Sequence, residues 1–408
     1  MLKKSNNYYL GINLYQDPSA ALVKDGKVLF FCEEERLIRI KHAKNFYPIN
    51  AIKHCLKKES IGLEDINAIS INWDIPKYTN GAIKKHYDKI SQDFKIDRNT
   101  KIWQSNNLKL NSKKNYEKYH IDHLKKYFDI KKNLRFEYFP HHFIHAFQAC
   151  YQSKFKSAVC ISIDGSGDFS CTTVWKYQNN NLRKIKDIKI PHSLGWFYAA
   201  ITEFLGFEAY DGEYKVMGLA SYGNYNERLF NKLKKIIDWS EKSGDYKVDP
   251  HYLHYGKHSF SKRYTDKLPE LLRIKPRKEK EKILQSHKDL AFNAQLILEE
   301  CVQNIVQWAI HKTKIKNICI SGGVGLNVKM NSKIFQMSLV NDVFAHPLCM
   351  DSGAAAGAAL YSCYKNDKLK PEKIKTLSLG PKYSNLEIKK ILLNKGIKYR
   401  FYNKKSDL

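Results

Sequence analysis

The sequence predicts an α/β protein of two related lobes with a ligand cleft between them. A run of strand, acidic-glycine turn, strand, turn and strand occurs twice, beginning near residues 8 and 158. Such a duplication is expected of two similar α/β lobes that bind a ligand where they meet. At 408 residues the chain is also too long for one simple core. Its 43% hydrophobic residues are sufficient for a packed interior.

The first lobe, residues 1–150, begins with a predicted β-meander. Apolar and β-branched runs favour strands at 8–14, 20–24 and 27–32, and Asp25-Gly26 is typical of a hairpin turn. The remaining elements are predicted, in chain order, as a helix from Pro48 to about residue 58, a strand at 68–73, Lys- and Tyr-rich helical insertions over 75–135, a strand at 135–139 and a helix at 141–153.

The second lobe, residues 151–376, repeats this outline. A β-branched strand at 158–163 leads to a tight glycine turn at 164–168, and apolar residues at helical spacing predict a long helix over 289–312. The other elements are predicted as strands at 171–177, 182–188, 316–320 and 342–345, helices near 193–205, 225–237 and 353–361, and a basic, poorly patterned stretch at 240–285. Residues 377–408 differ in sequence pattern from the preceding lobe and are predicted to form a further helix and strand.

The net charge of +29 comes from 70 basic residues, of which ten are Arg. Specific recognition of phosphate or bases usually relies on Arg, whereas here Lys is scattered through nearly every segment. We therefore interpret the charge as a compositional bias toward lysine and do not expect nucleic acid as a partner. A weak attraction for an anionic substrate is expected in either case.

The nine cysteines are dispersed, and none forms a CxxC motif. They are typical of small buried residues in a reducing compartment rather than of a disulfide framework. The N-terminus has no apolar signal region, and no apolar run approaches eighteen residues. We therefore expect a cytoplasmic protein without a membrane span.

Two histidines and two remote carboxylates form the candidate metal site. His141 and His145 are four residues apart, so on a helix their side chains lie on one face. Asp164 and Asp351 each follow a predicted strand and can complete the site. Imidazoles with carboxylates suit iron(II) or zinc. Such a histidine pair can also serve only in core hydrogen bonds, but the two carboxylates favour a metal.

Glycine-rich segments offer candidate phosphate and nucleotide contacts. The turn at 164–168 can cradle phosphate through Gly165 and Gly167, although a plain hairpin would have a similar sequence. The segment at 321–327 follows a buried strand and opens a helix, which favours either a nucleotide site or close packing of helix and strand. Residues 212–223 are predicted to form a tight functional loop. The charge cluster at 33–41 is interpreted as either a solvated face or a cleft lining.

Taken together, five ordered segments within residues 8–365 resemble a known family. They are Asp17-Pro18-Ser19-Ala20-Ala21 with Asp25-Gly26, Glu33-Glu34-Glu35-Arg36 through Lys41-His42, His141-His142-x-x-His145 with Asp164-Gly165-Ser166-Gly167-Asp168, the string from Gly212 to Gly223, and Gly322-Gly323-Val324-x-Leu326-Asn327 with Asp351-Ser352-Gly353. This pattern resembles the O-carbamoyltransferases of the nodulation-protein U and cephalosporin or tobramycin carbamoyltransferase group.

The resemblance implies an actin/Hsp70-like fold with ribonuclease H-like lobes. It also implies transfer of a carbamoyl group from carbamoyladenylate to a hydroxyl of a sugar or natural product. The family's metal, reported as iron, would be bound by His141, His145, Asp164 and Asp351. Lys41 would lie near the carbamoyl phosphate moiety. The carbamoyladenylate would be contacted by Gly165, Gly167, Lys215, Gly322, Gly323 and Asn327.

Two features depart from the family pattern. The family has His immediately before the first-turn Asp, whereas this chain has Gln16, so the general base is expected to be Asp17, His42 or a metal-bound hydroxide. Residues 1–376 match the transfer domain, but 377–408 resemble only the opening of the family's YrdC-like domain, which makes carbamoyladenylate. We therefore expect a YrdC-like partner in trans. The alternatives are an inactive or regulatory remnant and a component of tRNA threonylcarbamoyl transfer.

Overall fold

Each half of the chain builds a five-stranded mixed sheet. The computed structural model describes residues 7–14, 16–94, 96–110, 112–130, 133–253 and 262–402. The strands are β1 Tyr8–Asn13, β2 Ser19–Lys24, β3 Lys27–Glu33, β4 Ile66–Ile71, β5 Phe136–Tyr138, β6 Ser157–Gly167, β7 Ser170–Gln178, β8 Asn181–Lys189, β9 Ile237–Ser240, β10 Asp245–Val248, β11 Asn317–Ser321 and β12 Asp342–Ala345.

Helices connect and cover these sheets. They are α1 Glu34–Ile38, α2 Ile49–Glu59, α3 Ile75–Lys77, α4 Ile83–Asp93, α5 Arg98–Leu110, α6 Lys113–Lys125, α7 His141–Gln152, α8 Leu194–Phe204, α9 Glu213–Leu219, α10 Glu227–Lys234, α11 Lys267–Leu272, α12 Gln285–Thr313, α13 Val328–Phe335, α14 Asp351–Asp367 and α15 Asn385–Asn394. The predicted helical insertions over 75–135 thus correspond to α3–α6.

The two sheets have the same topology. The first has the order β3-β2-β1-β4-β5, and the second has the order β8-β7-β6-β11-β12. In each, three consecutive strands form an antiparallel meander, and two later strands are added parallel to the first strand of that meander. The central strand β1 is buried at all six positions, as expected of a strand covered on both faces. The predicted α/β fold of two related lobes is confirmed.

Two helices are exchanged between the lobes. Helix α7 follows the last strand of the first sheet but packs on β6, β7 and β11 of the second. Helix α14 follows the last strand of the second sheet but packs on β1, β2 and β4 of the first. The close approach requires small residues, because a Cβ on Gly11 of β1 would lie 1.8 Å from the carbonyl oxygen of Ala355 in α14. The two helices also pack against each other, so the lobes interlock.

Two sequence predictions of local structure were wrong. Residues 164–168 do not form a tight turn, because β6 continues to Gly167 and the chain reverses at Asp168 and Phe169. Both turn residues have positive φ, 50° and 69°, as in the two-residue turns that match strand twist. Residues 212–223 are helical rather than a loop, since α9 is followed by a 3₁₀ turn at Ala220–Tyr222.

The C-terminal segment is a helix without a following strand in the described residues. Helix α15 has no buried residue, and residues 397–402 do not form a strand. The remainder of the predicted strand region, 403–408, lies outside the described residues. All nine cysteines are buried, as the sequence predicted. Among the described residues, no helix is both long and apolar enough to span a bilayer.

Candidate metal centre

The four predicted metal ligands meet at one point, with their ligand atoms all within 4.8 Å of one another. The Nε2 atom of His141 lies 3.5 Å from Oδ2 of Asp164 and 3.4 Å from Oδ1 of Asp351. The corresponding distances from Nε2 of His145 are 3.5 and 3.7 Å, and the two Nε2 atoms are 3.0 Å apart. Ligand atoms about 2.1 Å from a divalent ion lie roughly 3.0–3.4 Å from one another in octahedral or tetrahedral geometry. The observed spacing therefore fits one ion.

His141 is held by contacts on several sides. It is the first residue of α7, and its backbone N–H donates to Oδ2 of Asp168 at 2.5 Å, which caps the helix from the β6–β7 turn. The Nδ1 atom lies 3.1 Å from the carbonyl oxygen of Asn72, which can only accept. Nδ1 therefore carries the proton, and the lone pair of Nε2 points to the cluster, the tautomer required of a metal ligand. The ring of Trp73 lies 4.3 Å from the imidazole, measured between centroids.

Gly167 provides the space that the His141 ring occupies. A Cβ at this position would lie 2.1 Å from Cδ2 of His141. Gly165 has a different environment. Its backbone N–H donates to Oδ1 of Asp164 at 2.8 Å, and a Cβ added at this position would lie 3.1 Å from the indole nitrogen of Trp196. Gly165 thus helps to orient the Asp164 carboxylate, whereas Gly167 packs against a ligand ring.

The two carboxylates arrive from different parts of the fold. Oδ2 of Asp164 is buried without a hydrogen-bond donor among the described residues, and it faces both histidines. Asp351 begins α14, and the next residue fixes that end of the helix to the first lobe. The Ser352 hydroxyl donates to Oε1 of Glu33 at 2.8 Å, and its carbonyl accepts from the Ser19 hydroxyl at 2.7 Å. Contacts with the first lobe therefore help to position Asp351, a candidate metal ligand that follows the last strand of the second lobe.

Charges within the cluster are strongly coupled. Burial opposes the charged form of His141, but the carboxylates of Asp351 and Asp164 hold its pKa well above the usual value. Burial would raise the pKa of Asp164, yet the neighbouring His141 and His145 rings keep it well below the usual range. The buried oxygen of Asp164 that faces both histidines and the fixed tautomer of His141 both fit a bound cation.

The neighbouring histidines have structural surroundings instead. Nδ1 of His142 contacts the Thr173 hydroxyl at 3.1 Å, and burial lowers its pKa to about 3. Nε2 of His346 lies 3.0 Å from the side-chain oxygen of Gln152, while its Nδ1 accepts from the Leu348 backbone N–H. Both are therefore neutral core residues near neutral pH.

A second buried polar group lies in the first lobe and contains Asp17, Glu35 and His42. Nδ1 of His42 lies 2.7 Å from Oδ1 of Asp17, and the His42 backbone N–H donates to Oε2 of Glu35 at 2.6 Å. Asp17 and His42 have positive φ values of 51° and 61°, so both are held in a strained backbone conformation. Burial raises the pKa of Asp17, and His42 partly offsets this effect.

Lys41 lies beside this group at the surface. Its Nζ is 4.0 Å from Oε2 of Glu35 and 3.5 Å from Oδ1 of Asp211 in the second lobe. The guanidinium of Arg36 also lies 3.4 Å from Oε1 of Glu35. Because side-chain cations already neutralise Glu35, the group is better suited to hydrogen bonding than to a second metal ion.

Of the remaining predicted residues, the two glycines lie beside the metal cluster, whereas Asn327 and Lys215 contact other segments. Gly322 has φ 83° and would clash with Ile163 if it carried a side chain, and the Cβ position of Gly323 is 3.2 Å from Oδ1 of Asp164. Asn327 caps α13 through the Met330 N–H and exchanges two hydrogen bonds with Gln295. Lys215 is exposed on α9 with its Nζ near the rings of Phe207 and Tyr214. Contacts of these residues with a nucleotide stay predictions.

Several residues at the site were not identified from the sequence. Asp168 caps the histidine helix, Asn72 sets the tautomer of His141, and Asp211 reaches His42 from the other lobe. Asp168 belongs to the glycine-rich segment 164–168 that the sequence analysis considered, so its position at the end of a strand could have indicated a role at the site. Asn72 acts through its backbone and Asp211 through a long-range contact, and neither has a local signature.

Comparisons with known proteins identify the family of this chain. Residues 8–360 match the family model described as Carbamoyltransferase N-terminus. Nodulation protein NolNO of Sinorhizobium fredii is 29% identical over 386 residues, covering 92% of this chain and 50% of that protein. Nodulation protein NolO of Bradyrhizobium diazoefficiens is 31% identical over 260 residues, covering 62% of this chain and 44% of that protein. An uncharacterized protein of Synechocystis is 29% identical over 412 residues, covering 97% of this chain and 64% of that protein.

The chain thus spans about half to two-thirds of the length of these relatives. Among solved structures, full-length HypF in its phosphate- and nucleotide-bound form aligns with 90% of this chain and 57% of its own. That alignment has 11% sequence identity and a TM-score of 0.47.

Proposed function

This chain belongs to the carbamoyltransferase N-terminal domain family, and we propose that it is a transferase that moves a carbamoyl group from carbamoyladenylate to a hydroxyl of a sugar or natural-product acceptor. The observation that carries this proposal is the position of the Asp17–His42 pair beside a four-ligand metal cluster. Ser352, the residue after Asp351, donates a hydrogen bond to Glu33, and after burial the charges of Glu33 and Asp351 also contribute to the raised pKa of Asp17.

The cluster of His141, His145, Asp164 and Asp351 is proposed to bind a divalent metal, with Fe(II) favoured by its two imidazoles and carboxylates. When bound, the ion would supply Lewis-acid polarisation to the acyl-phosphate anhydride and its developing charge. Asn72 fixes the tautomer of His141 for this role, and Gly165 holds one oxygen of Asp164 so that the other faces the histidines.

His42 is proposed as the general base that replaces the histidine absent at Gln16. Its Nδ1–H donates to Asp17, so Nε2 can accept the proton of the acceptor hydroxyl. The hydroxyl oxygen then forms a bond to the carbamoyl carbon while the bond from that carbon to the phosphate oxygen breaks and AMP leaves. Asp17 stabilises the resulting imidazolium, as a buried carboxylate does in a catalytic triad.

The phosphate of the donor is proposed to lie near Lys41. The Lys41 side chain is 62% exposed, so its ammonium can turn to an anion that enters the site. Backbone at Gly322 and Gly323 lies against β6 and the Asp164 carboxylate, close to the metal cluster. Gly322 packs against the Ile163 backbone, and Gly323 would allow a phosphate or nucleotide to approach the backbone closely.

Carbamoyladenylate is proposed to come from a YrdC-like domain or protein. The transfer experiment does not depend on that source, because the donor can be supplied preformed. The chain, reconstituted with Fe(II), would be mixed with carbamoyladenylate and a panel of sugars. AMP release and carbamoylated products would be followed by mass spectrometry. Replacing His42 with Ala should lower product formation by roughly 10²–10⁴-fold, the usual contribution of a general base.

A matched pair of histidine variants tests the metal. His145→Ala should abolish stoichiometric metal binding and product formation, because it removes one of four ligands. His142→Ala is the control, since this ring lies on the same helix but contacts Thr173. Metal content would be measured by elemental mass spectrometry. Absence of metal and of transfer from the unmodified protein would favour an inactive remnant.

A further inference from the structure

Asp211 faces His42 across the boundary between the lobes. Its Oδ1 lies 3.5 Å from Nε2 of His42 and 3.5 Å from Nζ of Lys41. The His42 side chain is 9% exposed, and its Nε2 is buried without a hydrogen-bond partner among the described residues. The 3.5 Å separation is longer than a good hydrogen bond. A buried polar atom of the proposed base is thus aimed at a carboxylate that it does not bind.

The chemistry of these two atoms specifies what can bind beside them. Because Nδ1 of His42 donates to Asp17, Nε2 of the neutral ring is an acceptor, and the Asp211 carboxylate is also an acceptor. These two acceptors are 3.5 Å apart, which leaves no room for an atom on the line that joins them, so hydrogen-bond donors must approach from beside the pair. A single hydroxyl has one hydrogen and can satisfy one of the two atoms. Two donors on neighbouring atoms can satisfy both.

Asp211 is held firmly by its own segment. The preceding residue, Tyr210, has φ 72°, an uncommon conformation for an aromatic residue. Its backbone N–H donates to Oε1 of Glu213 at 2.8 Å, and its ring is covered by the Arg263 guanidinium at 4.3 Å. The N–H of Gly212 donates to the carbonyl of Glu208 at 2.7 Å, which closes the turn. The side chain of Asp211 is 28% exposed, so a ligand can reach it.

We propose that Asp211 is an acceptor-binding and specificity residue, which selects a hydroxyl with a second hydrogen-bond donor on the adjacent carbon. This inference rests on the proposed function. The hydroxyl to be carbamoylated donates to Nε2 of His42, and the neighbouring hydroxyl or amino group donates to Asp211. The preferred acceptors are therefore vicinal diols or 1,2-amino alcohols, and an isolated alcohol binds poorly.

Small alcohols test this selectivity without knowledge of the natural acceptor. The Fe(II)-reconstituted chain would be given carbamoyladenylate with ethylene glycol, ethanolamine or 2-methoxyethanol, the last of which lacks the second donor. A hydrogen bond to a charged group contributes about 1.5–3 kcal/mol, so kcat/KM should favour the first two by roughly tenfold or more. O-carbamoylated products would be separated from N-carbamoylated ethanolamine by chromatography and mass spectrometry.

In Asp211→Ala the kcat/KM values for the three acceptors should differ by no more than about threefold, because KM rises for the diol and the amino alcohol. Hydrolysis of carbamoyladenylate by water and KM for the donor should change little. Asp211→Asn, which keeps an acceptor oxygen, should retain part of the preference. Glu208→Gln is the matched control, because it removes one charge from the same turn at a side chain that is 69% exposed. The Glu208→Gln variant should show the same kcat/KM preference among the three alcohols as the unmodified protein.

The outcomes separate the two proposals. If the unmodified chain carbamoylates none of the alcohols and no sugar in the panel, the proposed function and this inference both fail. If it carbamoylates the three alcohols equally, or if Asp211→Ala preserves a tenfold preference, carbamoyl transfer stands and the role of Asp211 is overturned. Circular dichroism of each variant distinguishes these results from misfolding.

Discussion

A methyl group added at Gly167 should weaken metal binding, although Gly167 is not itself a metal ligand. In Gly167→Ala the new Cβ would lie 2.1 Å from Cδ2 and 2.6 Å from Cγ of His141. Carbon atoms normally pack about 3.5–4.0 Å apart, so the imidazole would have to retreat by roughly 1.5 Å. The ring has little freedom to do so, because it contacts the Asn72 carbonyl and the Trp73 ring.

The expected losses follow from this displacement. Metal–ligand distances tolerate changes of only about 0.2 Å, so Gly167→Ala should lower metal affinity by at least the 10–100-fold usual for mutations that support a ligand. Overpacking should also lower the free energy of unfolding by about 1–3 kcal/mol. Competition with a metal chelator measures the first quantity, and urea denaturation of the metal-free protein measures the second.

Gly218→Ala provides the comparison. This glycine lies in α9, and a Cβ there would meet nothing within 4 Å. The substitution should leave metal affinity unchanged and stabilise the protein by about 0.5–1 kcal/mol, because alanine favours a helix over glycine. If Gly167→Ala binds metal as tightly as the unmodified chain, the packing argument for His141 is refuted.

Two further outcomes are expected. Burial opposes the charge on His141, but Asp351 and Asp164 raise its pKa in the metal-free protein. The attraction between charged His141 and these carboxylates therefore stabilises the folded state. This contribution is complete below about pH 6.5 and is lost as the pH rises through the folded-state pKa of His141. Urea midpoints of the metal-free chain should show this decline, and those of His141→Asn should lack it. Asn327→Ala should lower the free energy of unfolding by about 1–3 kcal/mol, because it removes the cap of α13 and the two buried hydrogen bonds between Asn327 and Gln295. An unchanged urea midpoint would contradict this structural role.

The sequence predicted which four candidate ligand side chains come together, but not the residues that support them. His141 and His145 share a face because of their spacing, while Asp164 lies in β6 and Asp351 follows β12 of the same sheet. Those relations are local or follow from strand topology, so they can be predicted. The fold class was predictable for a similar reason, since the repeated meander is visible in the hydrophobic pattern.

Other features depend on contacts between distant segments. Asp211 is 169 positions after His42, and only the folded chain brings the two together. The string at 212–223 was predicted to be a loop from its glycines, but Gly212 and Gly223 flank the helical residues and fit closely against other segments. Likewise, Gly167 was considered for phosphate binding because glycine composition does not reveal which neighbour requires the space.

The exchange of α7 and α14 has a consequence for the order of folding. The first sheet is encoded by residues 8–138, yet one of the helices that cover it, α14, ends at Asp367. During synthesis that face of the sheet therefore stays uncovered until most of the chain has been made. A fragment ending after β12 would expose the apolar surface around Gly11 and would lack Asp351. Completion of the first lobe and completion of the metal site are thus the same late step of folding.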